Sequence, residues 1–88
     1  MINAKKAAIK AEKARRKNFK YDFYLIKIGI KDEIKQGEKK YIHYIPESYC
    51  SEEDIKTLID YFTEKGYQVH ISNAYKMGML RKQIIISW

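Results

Sequence analysis

Eighty-eight residues with 18 Lys and Arg against 11 Asp and Glu make a basic chain the size of one domain. The lone cysteine, Cys50, excludes an internal disulfide and a cysteine zinc site, and suits a reducing interior. No apolar run approaches the ~20 residues of a membrane span, and no apolar core follows the basic N-terminus as in a secretory signal. A membrane partner is therefore not expected.

The formal charge of +7 is concentrated at one end. Residues 1–20 hold Lys5, Lys6, Lys10, Lys13, Arg15, Arg16, Lys17 and Lys20 against Glu12 alone, while the remaining residues balance ten cations with ten acids. This places a basic arm, residues 1–20, on a neutral body, residues 21–88. On a helical wheel Ala4, Ala7, Ala8, Ala11 and Ala14 share one side of the arm and the cations cover the other. Ala, Lys, Arg and Glu favour helix, and Asn3 suits the cap. Alanine buries little area but lets another backbone come close, so the smooth side is a candidate contact for a second copy or another protein.

Residues 21–36, YDFYLIKIGIKDEIKQ, overlay two patterns. Ile26, Ile28 and Ile30 alternate as in a strand, whereas Phe23, Ile26, Ile30 and Ile34 follow a helical stripe that Gly37 would end. Helix is preferred, continuing the first with a bend near residues 18–22 or at Gly29; a hairpin is the alternative. YIHYI at 41–45 then reads as a strand closed by Pro46. Ser51 and Asp54 resemble a capping box, Glu52, Glu53 and Asp54 suit the positive end of a helix dipole, and Ile55, Leu58, Ile59 and Phe62 form an apolar stripe ending at Gly66. YQVHI at 67–71 and QIIISW at 83–88 are further strands, with a loop between them that turns at Gly78. The expected fold is α+β: a long N-terminal helix, then β-α-β-β, with a small three-stranded mixed sheet formed by a parallel crossover and an antiparallel neighbour.

The run EEDIKTLIDYFTEKGYQVHIS with the closing IIISW, the start INAKKA and the helix end IKDEIKQG resemble small proteins encoded by tailed bacteriophages. The resemblance implies a phage origin, an α+β fold, and a place in the host-cell cytoplasm or the virion. It implies no catalytic residue.

Enzyme signatures are lacking: there is no phosphate-binding glycine loop, HExxH, GxSxG or CxxC. His43 and His70, one per strand, are expected to face each other across the sheet as half-exposed residues, too few for a metal site. No catalytic residue, metal or cofactor is expected. The eight tyrosines are read chiefly as core or protein contact, with base stacking on an open sheet as the alternative. Trp88 is expected to plug the sheet. The arm carries the main functional expectation, a non-enzymatic accessory protein whose Lys5, Lys6, Lys10, Lys13, Arg15, Arg16, Lys17 and Lys20 contact nucleic acid or another polyanion without sequence preference. The alternative is a protein-interaction module, an inhibitor of a host enzyme or defence factor or a minor virion component, that docks through the alanine face and exposed aromatics.

Overall fold

A computed structural model describes residues 2–88. Asn3 accepts the Lys6 amide at 2.9 Å and opens helix α1, Ala4–Lys35, which runs 32 residues without interruption. The helical pattern of residues 21–36 thus prevails over the alternating one. Ile26 and Ile30, one turn apart, are 0% and 4% exposed, whereas Ile28 between them is 38% exposed. Gly37, at φ 80°, then ends the helix: the Glu38 amide reaches back to the Glu33 carbonyl at 2.9 Å.

Gly29 marks a close approach instead of a break. A Cβ at this position would overlap the Tyr41 ring on the neighbouring strand, so only glycine lets the helix lie this near.

Strand β1, Lys40–Pro46, leads through a 3₁₀ turn at Glu47–Tyr49 into helix α2, Glu52–Glu64. The Ser51 hydroxyl accepts the Asp54 amide at 3.1 Å, as expected of the cap. The Asp54 carboxylate completes no capping box; it accepts from Arg15 of α1 instead. Gly66, at φ 89°, closes α2, and strands β2, Gln68–Lys76, and β3, Met79–Ser87, follow.

The α+β architecture and the element order are as the sequence indicates. The strand pairing differs. The order is β1-β3-β2 with both pairings antiparallel, so β1 and β2 run in the same direction but are not neighbours, and the sheet is not mixed. The cause is the β2–β3 connection. Residues 72–82, expected as a loop, mostly extend the two strands, and Met77 and Gly78 at φ 55° and 73° make the two-residue turn. A positive φ at both central positions is the hairpin geometry that suits strand twist. This brings β3 back along β2 and into the place beside β1.

Both helices cover one face of the sheet. Phe19, Ile26 and Ile30 of α1, Leu58 and Phe62 of α2, and Ile45, Ile84 and Ile86 of the sheet form the buried core. Aromatic rings extend it in sequence: Phe23 stacks on Phe62, which meets Tyr67 edge-on, which meets Trp88 edge-on. Trp88 also donates its amide to the Lys39 carbonyl at 3.0 Å, closing the end of the sheet. No described helix is long and apolar enough to cross a membrane.

Alanine is worth about 1 kcal/mol more than glycine inside a helix, yet Gly29→Ala should lower stability by about 1–3 kcal/mol through overpacking on Tyr41. In a Tyr41→Ala background the same substitution should instead raise it by about 1 kcal/mol. Urea unfolding midpoints of the four proteins read the difference.

Candidate functional site

Helix α1 is longer than the body it packs on. Residues 2–14 are exposed throughout, and the first docked side chains are Arg15, which is half-buried, and Phe19, which is buried. Residues 15–20 therefore belong structurally with the body, and the overhanging arm is shorter than residues 1–20.

By the ~100° turn per residue, Ala8 prolongs the body-facing stripe of Phe19, Ile26 and Ile30 into the overhang, with Ala4 and Ala11 to one side of it and Ala7 and Ala14 beyond them. All five alanines are exposed, so the smooth side is not covered by the protein's own sheet.

The opposite side of α1 carries cations. Lys6, Lys10, Lys13, Lys17 and Lys20 recur at spacings of three and four residues, and the series continues through Tyr24 to Lys27, Lys31 and Lys35. Residues at those spacings line one helical face. All eight lysines are exposed. The row spans roughly 43 Å at the ~1.5 Å rise per residue of an α-helix. No acid occupies it: Glu12, Asp22, Asp32 and Glu33 all fall on other parts of the helix surface. Among the described residues, none of the eight lysines takes part in a salt bridge. Lys5 lies at the margin of the row, exposed and equally without a salt bridge.

The two arginines of the expected set behave differently. Arg15 grips Glu12 through Nη2 and Nε at 2.7 and 3.1 Å, and donates Nη1 to the Asp54 carboxylate at 2.6 Å and the Tyr49 carbonyl at 3.0 Å. These hydrogen bonds, first to Glu12 and then to Asp54, push its pKa further up, and the guanidinium is fully engaged inside the molecule. Arg16 shares Glu12 at 3.2 Å but keeps 68% of its side chain exposed. Glu12 thus ties up one arginine and part of another while leaving the lysines open. Hydrogen bonding from Arg15, outweighing some desolvation, holds the Glu12 carboxyl at about 2.

A polar chain links α1 to β1. The Asp22 carboxylate lies 3.0 Å from His43 Nε2, and His43 Nδ1 lies 2.8 Å from the Tyr41 hydroxyl. An ionised carboxylate only accepts, so the Asp22 contact calls for a hydrogen on Nε2, and an imidazole with its single hydrogen there accepts from the tyrosine hydroxyl at Nδ1. Burial, reinforced by the charges of Asp22 and Glu33, raises the Tyr41 pKa, so the phenol stays protonated. The order acid–imidazole–hydroxyl is that of nucleophilic catalysis. These three residues, however, line none of the four main surface grooves. Their evident role is to hold helix and strand together. His43 therefore faces α1, while His70, whose register partner is Ile85, points from the opposite face, so the histidines do not face each other. No group of three potential metal-ligating residues occurs among the described residues.

The tyrosines divide. Tyr41, Tyr49, Tyr61 and Tyr67 pack against the core, whereas Tyr21, Tyr24 and Tyr75 are 63%, 59% and 77% exposed. Tyr44, on the uncovered side of the sheet, already has the Lys76 ammonium 4.1 Å from its ring centre and a hydrogen bond from Gln83. Cys50 is half-buried, and burial, aided by the Glu47 charge, pushes its thiol up to about 11.

The continuation of the lysine row past residue 20 is a feature that charge counting overlooks, because the body's cations and acids cancel in number. Its signal is the unbroken three-and-four spacing. That spacing becomes meaningful only once residues 21–35 are known to be helical.

Glu12, whose pKa is depressed from 4.5 to about 2, contributes its ion-pair stabilisation fully above pH 4.5 and loses it as pH falls through about 2. Its carboxyl carbon resonance should accordingly titrate near that lower value, leaving the Arg15 contact intact at pH 4. Cys50 should alkylate slowly with iodoacetamide at pH 7–8 and speed up only as pH approaches about 11.

Compared with protein-family profiles, with curated proteins and with solved structures, the chain matches none.

Proposed function

We propose that this chain is a small, non-enzymatic accessory protein that binds nucleic acid without sequence preference through the outer face of α1. The observation that carries this reading is the acid-free row from Lys6 to Lys35, exposed and without salt bridges among the described residues. Phosphate neutralisation needs mobile cations in a line and no base-reading groups, and it gives affinity without sequence information. Lys5, Lys6, Lys10, Lys13, Lys17 and Lys20 take the phosphates, with Arg16 assisting. Arg15 is assigned to anchoring instead. The chain's likeness to small tailed-phage proteins supports an accessory role in the host-cell cytoplasm or in the virion.

A second reading rests on a separate observation, the exposure of Ala4, Ala7, Ala8, Ala11 and Ala14 beyond the end of the body. A helix or second copy could pack closely there, as an inhibitor or minor virion component would require. The two faces lie on opposite sides of the helix and do not compete.

Titration with generic duplex DNA and with RNA at two salt concentrations tests the first reading. Each phosphate contact contributes about −0.9 to the slope of log K on log salt, so these six lysines give roughly −5 on duplex DNA. Replacing Lys10 and Lys13 with Gln should flatten that slope by about 2. Arg15→Gln should leave the slope unchanged while lowering the unfolding midpoint. Absence of salt-sensitive binding at low ionic strength overturns the proposal, whereas a protein complex that persists at high salt and is lost with the alanine face favours the second reading.

A further inference from the structure

Beside the C-terminal third of the lysine row lies an open groove between α1 and α2, with a volume of about 410 Å³. That is the size range of small-ligand sites, ~300–1,000 Å³. Its walls combine two chemistries. Tyr24, Ile28 and Tyr61 supply flat apolar surface, and Lys27, Lys31 and Lys65 supply charge, with no acid in the lining.

The cations converge. The Lys27 ammonium lies 4.7 Å from the Tyr61 ring centre and the Lys65 ammonium 4.9 Å from the same ring. Two like charges at one ring, with Lys31 nearby, repel one another, and among the described residues no carboxylate forms a salt bridge with any of them. Ring quadrupoles offset part of this repulsion. An anion in the groove would relieve the rest.

Lys27 and Lys31 are also members of the row, so a strand whose phosphates follow α1 runs directly into the groove. We infer that the groove takes an unstacked base of that strand, and hence that the protein prefers single-stranded nucleic acid. The inference rests on the nucleic-acid reading above. A base would lie against the exposed Tyr24 ring, with its flanking phosphates on Lys27, Lys31 and Lys65. Duplexes withhold base faces by pairing and stacking; single strands offer them to aromatic side chains whatever the sequence. Charge complementarity and continuity with the row select this occupant over an uncharged apolar one.

The test uses the full chain, fluorescence anisotropy, and a labelled oligothymidine beside a blunt duplex of equal length at one low salt concentration. The wild-type protein should bind the single strand more tightly. Tyr24→Ala, at an exposed position, should weaken single-strand binding by about tenfold and leave duplex binding unchanged, because base–aromatic stacking is what it removes. Tyr75→Ala, an exposed tyrosine outside the groove, should change neither. Lys31→Gln should weaken both. Equal affinity for the two forms, or loss on Tyr24→Ala that is the same for both, overturns the groove while the lysine row stands. Binding to neither form overturns the nucleic-acid reading itself.

Discussion

The contact of the Tyr41 ring with the bare backbone of Gly29 fixes where α1 rests on the sheet. Helix and strand can approach this closely only at a residue without a Cβ, so the helix cannot slide by a turn without driving a side chain into the ring. The Asp22–His43–Tyr41 chain reinforces the same position from the polar side. With the register set there, Ile26 and Ile30 fall into the core, Phe19 reaches its near edge, and everything before Arg15 lies past the end of the body. The overhang and its outward-facing cations follow from that placement.

A helical segment of a dozen residues is marginal in water by itself, because the first turn is costly to nucleate. The overhang avoids this penalty, since it prolongs a helix already nucleated and docked. Alanine, lysine, arginine and glutamate then propagate it with little loss. Asn3 satisfies one of the free amides at its start. An extended cationic helix can therefore persist without burying a hydrophobic face, and its alanines remain exposed.

Charge is sorted along the molecule by geometry. Arg15 lies at the amino end of α2, where the helix dipole disfavours a cation, and Asp54 and Glu12 make the position tenable. Satisfying this one guanidinium occupies Glu12, the only acid of the first twenty residues. The lysines on the far side are left, among the described residues, without an acid partner. One half-buried anchor and several free cations are thus two results of one arrangement, and the proposed phosphate-binding row depends on the anchor taking the acid.

The sequence by itself determined the α+β class, both helix caps, the two glycine helix ends, the apolar stripe of α2 and the cationic side of the arm. Each of these is a local property, fixed by propensity, spacing or the allowed φ of one residue. Helix over residues 21–35 was legible as the stronger of two patterns, because Ile26 and Ile30 satisfy both periods and only tertiary burial separates them. The central place of β3 was not legible. It depends on the Met77–Gly78 turn, which lacks the usual Asn-Gly signal, and on competition between two possible neighbours for β1. Likewise, nothing local divides Arg15 from Lys17, or joins Lys27 and Lys65 across a groove. Only the packing of α1 against α2 and the sheet decides which cations are consumed within the fold and which are left for a partner, because pairing depends on distances between segments far apart in the chain.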